Sequence, residues 1–338
     1  MERIYNLLVS FLGDSKNEYD NKTHQYQFNC PCCAEQKGIV SDNKYNLEIN
    51  LNIGKFHCWA CGDSHNMKGN ISKLIKLYGN LNILKEYKKE IDNIQKSKLY
   101  DLKSYKDIAI NNEDFSLKLP DTFKKIQINT CDNKKLLAYL KKRKINQEII
   151  DKFNIGYTNY AEKNFIIKNR IIIPSYDEIG LLNFWTGRDF TENNKKLKYY
   201  NAETDKKEII FLESKLNFNA DIIIVEGAID AIYAPNTTAL LGKSLKRDSL
   251  LYKALYRRAN AKIIICLDGD TNINETKKIY NLLNNGRLRN KIYYIELGTN
   301  EIPYKDFGEI YEHNGKIGII NAIRSKKQFS ELELLINN

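Results

Sequence analysis

At 338 residues the chain exceeds what one compact core usually accommodates, so two or three domains are expected. Its 53 Lys and Arg against 42 Asp and Glu leave a formal charge of +11. That surplus draws a chain toward polyanions, although an AT-rich codon bias toward Lys, Asn and Ile would yield the same balance. No apolar run approaches the roughly 18–20 residues of a membrane span, so no membrane partner is expected.

The opening "MERIYNLLVSFLGDSKNEYD" puts Glu2 and Arg3 first and has no small-residue cleavage site, the pattern of a chain without a signal peptide in a reducing cytoplasm. In that compartment seven cysteines, four of them in Cys-x-x-Cys units, favour metal over disulfides. Residues 1–82 hold both units in short strand-like stretches such as "YQFNC" and "YNLEINLNIGKFHC". Cys30 with Cys33 and Cys58 with Cys61 are the spacing of two knuckles closing a tetrahedron on one zinc ion, at about 2.3 Å per bond. Cys32 breaks the spacing and is taken as a bystander. His57 and His65 flank the second knuckle and read either as substitute or supporting groups or as ordinary exposed histidines. Tyr26, Phe28, Tyr45, Phe56 and Trp59 alternate with polar residues, a pattern suited to stacking single-stranded bases. For Phe28 and Phe56, a place in the core of a small β-domain is the preferred reading.

Residues 83–119 read as a linker: Leu84, Tyr87, Ile91 and Ile94 recur at helical spacing among lysines, giving an exposed helix that runs into a flexible tether ending near Pro120. In residues 120–217, "KKLLAYLKKRKINQEIIDKFNIGY" predicts two short helices ending at Gly156. "RIIIPSYDEIGLLNFWTGRDF" predicts two strands joined by a polar turn at Asp177 and Glu178. Residues 218–300 alternate continuous apolar strands, "DIIIVEG", "TTALLG", "AKIIICLDGD" and "KIYYIEL", with helical stretches "AIDAIYA", "SLKRDSLLYKALYRRA" and "NETKKIYNLLNN". Unbroken Ile/Val runs in βα alternation predict a mostly parallel sheet covered on both faces. Residues 301–338 look helical. The expected fold is therefore α/β and multidomain, with a β-rich zinc ribbon at the amino terminus.

Chemistry is concentrated at two strand ends. "IIIVEGAID" puts Glu226 at the end of a strand and Asp230 four residues later, in the first turn of the following helix, and "IIICLDGD" puts Asp268 and Asp270 around Gly269. Strand ends of a parallel sheet converge on one crevice. Carboxylates gathered there repel one another unless hard cations such as Mg²⁺ or Mn²⁺ neutralise them, and such ions suit phosphoryl or nucleotidyl transfer. Either half alone reads equally as a helix cap.

The Glu-Gly-x-x-Asp strand end followed by Asp-x-Asp resembles the Toprim domain shared by DnaG-type primases, topoisomerases and related nucleases. Three further stretches are similar to the primases in particular: the four-cysteine ribbon running into "GKFHCWACGDSHNMKGNISKLI", the basic stretch "NRIIIPSYDEIGLLNFWTGRDF" with "KLKYYNAET", and the flanking "ALLGKSL" and "EIPYKDFGEI". Together they span about residues 25 to 310. The resemblance implies a zinc-binding domain (1–82), a linker (83–119), an α+β basic subdomain (120–217), a Rossmann-like Toprim domain (218–300) and a helical tail (301–338). It implies metal binding by Glu226, Asp268 and Asp270 with Asp230 and Asp306 in support. It also places Arg170, Arg188, Lys198, Tyr199 and Asn201 where the family contacts template or nucleotide phosphates, with Lys243 a candidate for the same basic surface; Trp59 is a nucleic-acid-binding candidate from the aromatic pattern of the ribbon.

Departures mark the chain. Cys33 stands where many bacterial members have His, as in bacteriophage primases, which would place the protein in a host cytoplasm. Ala228 replaces an aromatic, and Thr271 and Asn272 follow Asp-Gly-Asp where a basic residue is usual. No helicase-type P-loop follows, and the tail is too short for a large helicase-binding domain. The function implied is a primase that joins ribonucleoside triphosphates on single-stranded DNA with zinc and Mg²⁺ or Mn²⁺ as cofactors, beside a replicative helicase and single-strand-binding protein. Two rivals are a Toprim metal-dependent nuclease and a non-catalytic zinc-bearing nucleic-acid binder.

Overall fold

Four short strands around the cysteines pair into one antiparallel sheet. The computed structural model describes residues 1–20, 22–102, 117–159, 167–178, 180–191 and 197–335, and divides the chain into two compact units, Met1–Asp114 and Phe115–Asn338.

In the first unit α1 (Glu2–Leu12) precedes β1 (Gln25–Phe28), α2 (Pro31–Lys37), β2 (Leu47–Asn50), β3 (Lys55–Cys58), β4 (Lys68–Asn70), α3 (Ile71–Tyr78) and α4 (Leu81–Leu102), with the strands in the order β1-β2-β3-β4. Alternation of period two buries Tyr26, Phe28, Leu47, Ile49 and Phe56 on one face of this sheet. Ile4 and Leu8 of α1 and Leu74 and Ile75 of α3 are buried in the same unit. Tyr26 therefore belongs to the core and not to a base-stacking surface: it is 1% exposed and its hydroxyl donates to the Asp20 carbonyl at 2.9 Å. The start of α4 is a helix as expected but not an exposed one. Leu84 and Tyr87 are buried against this unit and Arg3 pairs with Glu90 at 3.2 Å, because the apolar stripe read as solvent-facing has α1 and α3 to pack against. The tether expected near Pro120 falls largely on residues 103–116, outside those described.

The second unit contains β5 (Lys124–Lys125), α5 (Lys134–Lys142), α6 (Gln147–Phe153), β6 (Gly156–Tyr157), β7 (Arg170–Tyr176), β8 (Leu182–Asp189) and β9 (Tyr199–Asn201), whose strands form an antiparallel sheet in sequence order. There follow β10 (Ile222–Val225), β11 (Thr237–Ala239), α7 (Leu250–Arg258), β12 (Ile263–Cys266), α8 (Ile273–Leu283), β13 (Ile292–Tyr294), α9 (Phe307–Arg324) and α10 (Glu331–Leu335). The last four strands form a parallel sheet ordered β11-β10-β12-β13. All residues of β10 and β12 are buried, as unbroken Ile runs require. One apolar core joins both sheets: Ile171, Ile172 and Phe184 share it with Ile223, Val225, Ile264 and Phe307, so the boundary expected at 217/218 does not separate two cores.

The stretch "AIDAIYA" differs from its expected helix. It makes a single 3-10 turn at Asp230–Ile232 and is buried throughout from Ala228 to Ala234. Pro235 follows and disfavours helical geometry at the residue before it, leaving too few residues to repay nucleation of an α-helix.

Candidate metal and nucleotide sites

Cys30 caps the start of α2 and Cys33 sits in its first turn, while Cys58 ends β3 and Cys61 lies in the turn that follows, closed by the Gly62 amide donating to the Cys58 carbonyl at 2.7 Å. All four side chains are buried and their thiol sulfurs converge: Cys30 to Cys61 3.6 Å, Cys33 to Cys58 3.7 Å, Cys33 to Cys61 3.4 Å. A disulfide would need roughly 2.05 Å, whereas four sulfurs about 2.3 Å from a central ion stand about 3.8 Å apart. The arrangement is compatible with structural zinc. No comparable group of carboxylates closes as tightly among the described residues.

Cys32 is buried beside the cluster but outside it, accepting from Gln36 Nε2 at 3.2 Å. Neither histidine joins the group. The His57 ring lies over Gly62, where a Cβ would stand 2.6 Å from Cε1, and His65 Nδ1 is 2.8 Å from Ser64 Oγ. Trp59 is 69% exposed, with its indole N–H held by Glu48 Oε2 at 2.8 Å and its ring edge-on to His57. Tyr45 is half-buried.

In the second unit the order β11-β10-β12-β13 makes the gap between β10 and β12 a switch point, since chain leaving β10 turns to one side and chain leaving β12 to the other. Val225 pairs with Cys266, so Glu226 and Asp268 emerge at neighbouring strand ends. Asp230 lies in the turn after β10, and Asp306 caps α9 by accepting the Glu309 amide at 2.7 Å. Burial raises Asp230 to about 8, with repulsion from Asp306 and Asp268 adding to it. Burial also raises Asp268 to about 7, helped by Glu226, Asp306 and Asp270. The five carboxylates thus share one field. Asp270, at the rim, is held low by Lys305, whose ammonium bonds its Oδ2 at 2.5 Å. A hard divalent cation fits this donor set, because its charge would offset the burial and the added mutual repulsion that hold Asp230 and Asp268 toward their neutral forms.

Basic groups face the acids. Arg188 is buried with its guanidinium over the Tyr199 ring at 4.8 Å and Nη1 donating to the phenol oxygen at 2.6 Å, while its Nε has no partner among the described residues. Lys198 is exposed, and its pKa is lowered first by Arg188, then by burial, Arg143 and Lys305, so these four cations crowd one region. Lys243 is exposed on the loop after β11 and its charge reaches Asp270. Asn201 ends β9, half-buried. Arg170 departs from the expected phosphate-facing group. It is 2% exposed, and its guanidinium donates to the carbonyls of Gly187 at 3.0 Å and Leu197 at 2.9 Å, so it fastens the segment that presents Lys198.

Sequence reasoning passed over Arg143, hidden in the run "KKRK", and Lys305, hidden beside Asp306. Arg143 follows α5, pairs with Glu312 at 2.7 Å and brings Nη1 within 3.2 Å of where a Gly308 Cβ would stand. A lone Arg before a turn in a lysine-rich helix carries no local signal; only its pairing with Glu312 of α9, distant in the chain, distinguishes it.

No family model matches the chain. Among curated proteins it is 24% identical to a DNA primase of Campylobacter jejuni over 351 residues, covering 91% of this chain and 54% of that protein. It is 26% identical to a DNA primase of Borreliella burgdorferi over 324 residues, covering 81% of this chain and 59% of that one. The chain spans about half the length of the curated relatives it matches. Solved structures that are similar include the zinc-binding and RNA polymerase domains of the Aquifex aeolicus primase, at 19% identity and TM-score 0.48, covering 96% of this chain and 83% of that one. A DnaG primase catalytic domain bound to ssDNA is similar at 19% identity and TM-score 0.45, covering 57% of this chain and 72% of that one. The chain is thus similar in sequence to the bacterial DNA primases along most of its length, as the motifs around its cysteines and acidic strand ends imply.

Proposed function

We propose that the chain is a DNA primase that starts short RNA chains on single-stranded DNA from ribonucleoside triphosphates. The observation that carries this reading is the opposition, in the second unit, of five carboxylates sharing one field and a crowded set of cations, Arg188, Lys198, Arg143 and Lys305. Cations of that kind hold a triphosphate, and the Nε of Arg188, without a partner among the described residues, is a buried donor that an anion would satisfy. Glu226, Asp268 and Asp270 would hold Mg²⁺ or Mn²⁺, with Asp230 and Asp306 behind them; when bound, such ions stabilise charge developing on the transferred phosphorus group. Tyr199 orients Arg188, and Arg170 fixes the backbone that carries Lys198.

In the first unit the four cysteines would hold zinc, giving a small sheet its rigidity. Trp59 offers an exposed ring to a template base. The sequence similarity to DNA primases over 91% of the chain supports the assignment.

The test is synthesis of labelled RNA on single-stranded DNA with Mg²⁺, comparing wild type with Asp268→Ala and Cys58→Ser. Short oligoribonucleotides abolished by the first change and reduced by the second are expected. Absence of product across a broad template set would remove the primase reading; nicking of DNA without nucleotides would then favour a nuclease, and its absence a non-catalytic nucleic-acid binder.

A further inference from the structure

Thr271 occupies the position after Asp-Gly-Asp where the resemblance leads one to expect a cation, and its hydroxyl does not serve the following helix. Asn272 is the cap of α8, its side chain accepting the Asn274 amide at 2.9 Å. The Thr271 hydroxyl instead crosses from the end of β12 to the end of β10 and donates to Glu226 Oε2 at 2.7 Å. Its backbone is held as well, since the Thr271 amide donates to the Asp268 carbonyl at 2.8 Å and closes the Asp-Gly-Asp turn. A β-branched side chain on a fixed turn has few rotamers, so the aim of the hydroxyl is set by the turn itself. One hydrogen bond therefore links the two strand ends whose carboxylates make the acidic site.

We propose that Thr271 is a positioning residue that fixes the Glu226 carboxylate, engaging Oε2 and leaving Oε1 available to a divalent cation. The proposal rests on the reading of the acidic strand ends as a metal site and adds a residue that acts through Glu226. Removing a hydrogen-bond partner of a ligating carboxylate typically weakens metal affinity about 10- to 100-fold. An ordinary surface threonine would show no such effect. In this chain the cation that counters the acidic turn comes from Lys305 on the facing loop, which leaves position 271 open to a neutral donor.

The experiment is Mn²⁺ binding to the full chain followed by electron paramagnetic resonance, with thermal unfolding in chelator as the control for folding. The variants are T271V, T271S, E226Q and the double variant E226Q/T271V. T271V keeps the shape and removes the hydroxyl; it is expected to weaken Mn²⁺ binding about 10-fold or more while T271S restores it. In the E226Q background T271V is expected to add nothing, because the two act as one unit. Wild-type affinity in T271V, or equal losses from T271V with and without E226Q, overturns the proposal while leaving the metal site intact. Failure of the wild type to bind Mn²⁺ overturns the metal-site reading and this proposal with it, a different result from either.

Discussion

The buried carboxylate of Asp230 accepts the backbone N–H of Gly308 at 3.0 Å, joining the turn after β10 to the first turn of α9. The bond fixes one acid of the site against a helix start, where backbone amides favour negative charge. Asp306 caps the same helix, so two acids share one N-terminus at the cost of mutual repulsion. The geometry of Asp230 is thus structural, and its charge is the quantity left to be set by the surroundings.

That charge gives a pH dependence. Asp268 and Asp230 are raised to about 7 and about 8, well above their unfolded values, so the folded chain binds more protons than the unfolded chain between about pH 4 and 8. Stability then falls as pH rises through that window. For Asp268, which remains partly solvated, screening reduces the effect to roughly 2 kcal/mol. Without divalent cation the Tm of the second unit is expected to decline from pH 5 to pH 8. D268N should flatten the decline and raise the Tm at pH 8 by about 5 °C. Millimolar Mn²⁺ should do the same for the wild type but not for D268N. A Tm that rises with pH in chelator would contradict the shifts on which this rests, and scanning calorimetry across the range decides it.

The strands that carry the acidic residues and the cysteines were legible because their signals are local. The unbroken runs "IIIV" and "IIIC" specify buried parallel strands, and Cys-x-x-Cys spacing specifies its own geometry. Glu226 and Asp268 follow such strands and so could be placed at neighbouring ends from sequence. What was not legible depends on partners distant in the chain. The stripe of α4 looked solvent-facing until α1 and α3 covered Leu84 and Tyr87. Arg170 opens β7 and Arg188 is the last residue but one of β8, yet opposite sides of that strand pair give one to backbone carbonyls and the other to Tyr199. Side-chain direction across a sheet is a tertiary fact, and no residue count along the chain contains it.

Those two arginines should separate stability from activity. R170M removes the donors that satisfy the Gly187 and Leu197 carbonyls and is expected to destabilise by about 3 kcal/mol, with loss of activity following loss of fold. R188M removes a group with one strong partner in Tyr199 and an Nε without a partner among the described residues, so its Tm should move less while the KM for nucleotide rises at least about 10-fold. Denaturant melts and steady-state kinetics on both variants check the pair. The reverse pattern would exchange the two roles.

The cysteine cluster predicts a local collapse. Structural zinc in small domains is bound with about 10–16 kcal/mol of apparent free energy, most of it folding energy. The sheet β1-β2-β3-β4 is short and depends on the same cluster at the end of β3. C58S, or extraction of metal by a strong chelator, should abolish one zinc per chain and make residues 1–102 protease-sensitive. The second unit, with its own core, should keep its melting transition. Metal analysis with limited proteolysis reads both outcomes, and a chelated protein with an intact first unit would show that the cluster is dispensable.

Gly269 offers the sharpest steric test of the acidic site. A Cβ there would stand 2.9 Å from the Gly298 nitrogen and 3.0 Å from the Leu297 carbonyl carbon, both backbone atoms with little freedom to yield. Gly298 itself adopts φ +71°, a conformation that favours glycine, so the two residues let the Asp-Gly-Asp turn rest directly on the loop leading to Lys305 and Asp306. The Gly269 amide also donates to the Lys305 carbonyl at 2.7 Å. G269A must push that loop outward, separating Lys305 from Asp270 and moving Asp306 off the shared field. A loss of about 1–3 kcal/mol is expected from overpacking, with Mn²⁺ affinity falling more than the stability loss alone explains. G242A is the control, since nothing lies within 4 Å of its new methyl group on the loop that carries Lys243. Equal, small effects from both substitutions would show that the turn and the 298–305 loop are not in register contact in solution.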